Sequence, residues 1–269
     1  MIIGKTNFDQ NKTYVMGILN VTPDSFSDGG RFNTVDSARK QALKMIAEGA
    51  HVIDIGGEST RPGFTQISEE EEIERVCPII EMLRKETDIP ISLDTYKSKV
   101  AVAGIECGAN LINDIWGLRY DPAMAHIIAE SGTSCVLMHN RNDSDYNNLI
   151  NDIFNDMQES IDIALKAGIP KDRIMLDPGI GFAKSYEDNL TVLNHLKDFN
   201  TLGYPVLLGA SRKSVIGLTL DLPKDERLEG TIATSVWAVM CGCNFVRVHD
   251  VAANLKAIRM AEAIKNARG

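Results

Sequence analysis

The stretch His51-Val-Ile-Asp-Ile-Gly-Gly-Glu-Ser-Thr-Arg-Pro-Gly63 passes from a short apolar run through one acid into glycines, hydroxyls and an arginine. Such a run suits a buried strand, and its polar, glycine-rich continuation suits a loop that the strand delivers. Gly56 and Gly57 let the backbone approach a ligand closely, while Ser59, Thr60 and Arg61 supply donors for something anionic. Alone, the segment reads equally well as a polar surface turn. Recurrence decides between the two, because similar runs ending in polar or loop-forming residues return at residues 14–20, 91–94, 111–115, 134–139, 173–177, 205–209 and 245–249.

Helical patterns separate these runs. Residues 34–48 repeat apolar side chains at Ala38, Ala42, Met45 and Ile46 and stop at Gly49, a candidate C-cap. Further helices are expected over 69–86, 97–107, 122–131, 149–167, 186–199, 227–241 and 251–267. The acids Glu69 to Glu72 read as the solvated first turn of the second helix, where they suit the macrodipole, and not as a metal site. Strands separated by helices demand parallel pairing with right-handed crossovers. About eight βα units at roughly 30-residue spacing therefore predict one α/β domain spanning residues 1–269, a (β/α)8 TIM barrel. An open doubly wound sheet is the alternative. It usually carries Gly-x-Gly-x-x-Gly after its first strand, whereas here Gly179-Ile-Gly181 is followed by Lys184 in the third position, and Lys213-Ser214 lacks the glycine of a P-loop.

Composition narrows the function. A formal charge of −9 argues against a nucleic-acid surface, so any anion must be captured by a few focused cations. The first residues lack an apolar leader and no window reaches the ~18 apolar residues of a membrane span, so a cytoplasmic protein without membrane association is expected. The five cysteines show no Cys-x-x-Cys spacing and read as reduced packing residues.

In a barrel the carboxyl ends of the strands open on one face. Asn20, Asp54, Thr60, Arg61, Asp94, Asn113, Met138, His139, Asp177, Phe182, Lys213, Arg247 and His249 would ring that mouth. Carboxylates and amides suit a flat heterocycle with N–H edges. Arg61, Lys213, Arg247 and His249 suit a phosphate-like group, and Phe182 and Met138 offer apolar faces. Plainer readings stand beside these. Asp54 and Asp114 can simply hold their own loops, His139 can pack, His51, His126 and His195 sit in ordinary strand and helix positions, and Lys213 could be a Schiff-base lysine.

Asn20-Val-Thr-Pro-Asp-Ser-Phe-Ser-Asp-Gly-Gly30, Asp54-Ile-Gly-Gly-Glu-Ser-Thr-Arg-Pro-Gly63, Ser92-Leu-Asp-Thr95, Asn113-Asp-Ile115, Asp177-Pro-Gly-Ile-Gly-Phe182, Gly209-Ala-Ser-Arg-Lys213 and Arg247-Val-His249 together resemble the dihydropteroate synthases of bacterial folate synthesis, from the first strand to the last. The resemblance implies a transferase that condenses 6-hydroxymethyl-7,8-dihydropterin diphosphate with p-aminobenzoate, giving 7,8-dihydropteroate and pyrophosphate. It implies that Asp177 accepts hydrogen bonds from the pterin 2-amino group and N3–H, that Asn113 pairs with a neighbouring ring edge, and that Lys213 reaches the oxo group and N5. Asp94 lies beside them, and Met138 joins the substrate-binding set.

By the same resemblance the diphosphate lies across Thr60, Arg247 and His249, with Asn20 as the Mg²⁺ ligand. Arg61, Pro62, Phe182, Lys213 and Ser211 shape the p-aminobenzoate pocket that sulfonamides occupy. Asn20, Arg61, Asp94, Lys213, Arg247 and His249 are the candidate catalytic residues, and a homodimer is expected. The short Asn/Asp-rich loop at 140–148 departs from the pattern. The glycine-rich loops at 21–30 and 56–68 suggest segments ordered by the first ligand. Two rivals share a pterin pocket: a methyltetrahydrofolate barrel that works with a cobalamin partner, which has no need of Ser-Thr-Arg-Pro-Gly, and a catalytically silent homologue, which would have lost one of these residues.

Overall fold

The computed structural model describes residues 1–22, 31–59 and 65–267. Thr60, Arg61 and Pro62, and most of the first long loop, lie outside the described residues. Eight parallel strands form the barrel: β3 (Tyr14–Asn20), β4 (Val52–Gly56), β5 (Ile91–Asp94), β6 (Leu111–Asp114), β7 (Ser134–Met138), β8 (Ile174–Asp177), β9 (Leu207–Leu208) and β10 (Phe245–Val248). They pair in chain order, with β10 next to β3, and the ring closes where the Leu176 N–H of β8 donates to the Pro205 carbonyl at 2.9 Å. This is the (β/α)8 barrel that the alternation of runs predicts.

Strand periodicity sets the interior. Met16, Val52, Leu111, Val136, Met175, Leu207 and Phe245 form one apolar cluster inside the barrel. Two residues further along their strands, the same inward face carries Asp54, Asn113, Met138, Asp177 and Arg247. The register sets Asn20 opposite Gly56, Gly56 opposite Asp94, and Asp94 opposite Asn113, so an apolar layer is capped by a polar one.

Nine helices lie outside this ring among the described residues: α1 (Arg31–Ala47), α2 (Glu69–Arg84), α3 (Ser98–Glu106), α4 (Met124–Ser131), α5 (Leu149–Ala167), α6 (Tyr186–Asn194), α7 (Ser214–Leu220), α8 (Leu228–Cys241) and α9 (Val251–Asn266). The sequence pattern yields eight; α7 is additional. Residues expected to extend α6 form a 3-10 turn at Leu196–Leu202 instead. A hairpin of β1 (Ile2–Ile3) and β2 (Thr6–Asn7), also unexpected, sends Met1, Ile3 and Phe8 into the apolar cluster and plugs the barrel bottom. All five cysteines are free. Among the described residues no helix is long and apolar enough to cross a membrane.

The acids that open α2 behave differently from the solvated turn expected of them. Ser68 caps the helix by accepting the Glu71 N–H at 3.1 Å, and Glu70 and Glu71 are exposed, yet Glu72 is only 1 % exposed. Lys97, at the head of α3, reaches it at 2.7 Å and reaches Glu58 at 2.7 Å as well. A partner 25 residues away turns one acid of the run into a core residue.

Candidate functional site

The centre of the mouth is an ion-pair triad. Arg247, near the end of β10, donates through Nε to Asp54 Oδ2 at 2.6 Å and through Nη2 to Asp94 Oδ2 at 2.6 Å. Asn113 Nδ2 lies 3.5 Å from the same Asp54 oxygen. Asp54 thus ties strands together and does not merely hold its own loop. Two acids facing one guanidinium leave net negative charge. Removal from water, opposed by Arg247 and reinforced by Asp54, pushes the Asp94 carboxyl up to about 7. Burial also works against the Arg247 charge, but the two carboxylates hold it above its ordinary value. Oδ1 of Asp54 and Oδ1 of Asp94 are buried without a hydrogen-bond partner among the described residues. They are acceptors suited to a ligand's N–H groups.

Asp177 and Lys213 stand beside the triad. Oδ1 of Asp177 accepts the Gly179 N–H at 2.7 Å, which anchors the carboxylate, and burial raises its pKa against the pull of Lys213. Lys213 immediately precedes α7, donates to the Ile180 carbonyl, and holds its ammonium 4.6 Å from the Phe182 ring centroid. Removal from water lowers Lys213 to about 8, partly offset by Asp177. Tyr96, Ile115 and Met138, with Trp116 and Phe182, form a separate apolar cluster at this end.

His249 is bound to Ser211: the Ser211 hydroxyl accepts the His249 N–H at 3.2 Å and lies 3.0 Å from Nδ1. Burial, then Arg247 and Arg212, lower the imidazole to about 3. It is therefore a neutral hydrogen-bonding group at pH 7 and not the cation that its position in the sequence suggests. Asn20 ends β3, where a Cβ on Gly56 would lie 3.8 Å from both Asn20 Oδ1 and Asp94 Oδ2, so the two oxygens flank one glycine.

The plainer readings also find their places. Asp114 accepts the Trp116 and Leu118 N–H groups at 2.8 and 2.9 Å and holds its own loop. His51 accepts the Val15 N–H at 3.0 Å, and His195 pairs with the exposed Asp198. Glu58, Tyr96, Lys97, Asp156 and Lys184 escape the sequence reading. A glutamate inside a Gly-Gly-Glu-Ser loop is a visible signal, but its partners at Lys97 and Tyr96 are not, because only the folded chain brings them within 2.7 and 2.6 Å.

The chain that builds this mouth is similar to known proteins along nearly its whole length. The family described as pterin binding enzyme matches residues 16–249. Dihydropteroate synthase of Clostridium beijerinckii is 56 % identical over 98 % of this chain and 99 % of its own length. The Clostridium difficile dihydropteroate synthase solved in the presence of pteroic acid superposes with a TM-score of 0.93 at 49 % identity, covering 95 % of this chain and 98 % of that one. The Xanthomonas albilineans dihydropteroate synthase solved with 4-aminobenzoic acid gives 0.92 at 43 % identity, covering 96 % and 95 %. With this barrel, this mouth and these relatives, the chain belongs to the dihydropteroate synthase family of pterin-binding enzymes.

Proposed function

We propose that the chain condenses 6-hydroxymethyl-7,8-dihydropterin diphosphate with p-aminobenzoate, releasing pyrophosphate and forming 7,8-dihydropteroate. The observation that carries this reading is the inward polar layer of Asp54, Asp94, Asn113, Asp177 and Arg247, built on an apolar floor. A pterin edge offers N–H donors, and this layer offers carboxylate acceptors, two of them with a free buried oxygen. The free Oδ2 of Asp177 and the Asn113 amide take the ring, with Lys213 on its oxo side. Phe182 and Met138 supply the apolar wall, and Ser211 with Lys213 belongs to the amine pocket.

In the reaction the bond between the pterin methylene carbon and the diphosphate oxygen breaks, its electron pair leaving with the diphosphate. The amine nitrogen then bonds to that carbon and loses a proton to solvent. The electron-rich pterin delocalises the developing cation, so an SN1-like displacement is favoured, and the carboxylates of Asp94 and Asp177 stabilise that positive charge electrostatically. The aniline nitrogen is weakly basic and needs positioning more than a dedicated base. Arg247, neutral His249 and, from the resemblance, Thr60 and Arg61 receive the diphosphate.

The donors present fit Mg²⁺: Asn20 Oδ1 is a hard amide oxygen that flanks Gly56 together with the Asp94 carboxylate, and Mg²⁺ commonly takes its remaining oxygens from water and substrate phosphate. Asn20 would hold the ion, which when bound neutralises charge on the leaving diphosphate. We further propose a homodimer working in the cytoplasm. The exposed apolar residues Trp237, Met240, Met260 and Ile264 on α8 and α9 support self-association, which sedimentation at graded concentration checks. The decisive assay of the reaction is pyrophosphate release with both substrates supplied. Release that requires both is expected, and release from the pterin diphosphate alone would mark a hydrolase.

A further inference from the structure

The loop that carries Phe182 is held in an uncommon shape. Gly179 (φ 71), Gly181 (φ 82) and Ala183 (φ 46) all occupy the left-handed region, and for Ala183 that conformation is strained. A Cβ on Gly179 would collide with the His139 carbonyl, so the loop presses against the end of β7.

A polar chain behind the loop opposes its relaxation. Lys184 Nζ donates to the carbonyls of Gly179 at 3.1 Å and Phe182 at 3.0 Å, and in its protonated form also to Nδ1 of His139 at 2.8 Å, which uses all three ammonium protons. Because Nδ1 accepts, the His139 proton resides on Nε2, which donates to Asp156 Oδ2 at 3.0 Å. Asp156 is in turn held by Arg141 through Nε at 2.6 Å and Nη2 at 3.2 Å. The guanidinium of Arg141 lies 4.6 Å from the Tyr146 ring centroid, and the Tyr146 hydroxyl donates to the Ala183 carbonyl at 2.8 Å. Both arms of this network, one through Lys184 and one through Tyr146, end on the backbone of residues 179–183.

We propose that Lys184, His139 and Asp156 are positioning residues that hold the Phe182 loop in the shape that receives the aromatic amine. The inference rests on the amine pocket proposed above and assigns the 140–148 loop a task, as the outer end of the clamp. Asp94, Asn113 and Asp177 sit on strands and keep their places without it, whereas Phe182 reaches the pocket only through this loop. Loosening the clamp therefore weakens the amine site before the pterin site.

The test uses Lys184→Met and Asp156→Asn in the full chain. KM for p-aminobenzoate should rise about tenfold in Lys184→Met while KM for the pterin diphosphate stays within about threefold. A readout without turnover comes from Trp116, which packs in the same cluster as Phe182 and is one of two tryptophans. In a Trp237→Phe background its emission should shift to the red when the clamp is cut. Equal changes in both KM values, or an unaltered Trp116 spectrum in a folded variant, would overturn the proposal. If Lys184→Met does not fold, Asp156→Asn decides with a smaller change in the same direction. If the parent chain makes no dihydropteroate, the functional reading fails, and Trp116 emission alone decides the clamp.

Discussion

One oxygen of Asp177 accepts the Gly179 N–H, and in the proposed function the other takes the pterin. Asp177→Asn keeps an oxygen for that turn but converts the ligand-facing acceptor into a donor. Charge-assisted hydrogen bonds are worth about 1.5–3 kcal/mol, so pterin affinity should fall at least about tenfold while the melting temperature barely moves. Calorimetry with the pterin ligand checks this, and unchanged affinity removes Asp177 from the site. At Asn20 a single amide oxygen predicts that EDTA stops turnover without lowering the melting temperature, whereas unfolding on chelation would make the metal structural. Residues such as Asp94, Asn113 and Asp177 were legible in the sequence because each ends an apolar run, and a period of two turns that position inward. The partner of Arg247 was not legible. A guanidinium suggests an external anion, and only the closed ring shows it shared by two acids 193 and 153 residues away.

At the scale of elements, the loop after β4 is fastened at both ends by one lysine. Lys97 Nζ donates to Glu58 Oε2, to the Ile67 carbonyl at 2.9 Å and to Glu72 Oε2, and Glu58 Oε2 also accepts the Ile67 N–H at 2.8 Å. Burial works against the lysine's charge, but the two glutamates outweigh it and raise its pKa. Lys97→Met would strand two carboxylates whose side chains are 3 % and 1 % exposed, a loss of about 3–5 kcal/mol. Burial already raises Glu72, and without Lys97 it should rise further, so protonation recovers part of the loss as pH falls. Urea melts at pH 8 and pH 5 test this, and an equal loss at both values would rule out stranded charge as the cause. The eight βα units could be read because each strand is apolar and each connection is helical. The β1–β2 hairpin could not, since two-residue strands show no period. Helix α7 could not either, because Val215, Ile216 and Thr219 favour a strand locally. Packing overrides that preference: Gly217 leaves the space into which the Arg227 guanidinium fits, and Arg227 Nη1 reaches the Arg212 carbonyl at 3.1 Å.

For the molecule as a whole, crowding cations and anions into one mouth makes stability depend on pH in a way that the −9 net charge does not predict. Removal from water lowers Lys184 to about 7 and Lys213 to about 8, whereas the unfolded chain keeps both lysines protonated to their ordinary 10.5. Above the folded values the unfolded state therefore binds more protons than the folded one, and stability rises with pH. Asp94 acts with the opposite sign: its folded value of about 7 lies above the ordinary 3.8, so its contribution is lost as pH rises through 7. His249 and His139, lowered to about 3 from 6.5, oppose Asp94 below pH 6.5 by favouring the folded state as pH rises. The lysines are left to dominate from about pH 7.5 to about pH 8, above which the five thiols, all raised by burial in the folded chain, ionise first in the unfolded chain and work the other way. Across that window the ligand-free protein should grow more stable in urea, and Lys184→Met should flatten the rise by removing one of the two titrations. A parent protein whose urea midpoint stays level or falls between pH 7.5 and 8 would mean that both ammonium groups keep their protons in the folded chain.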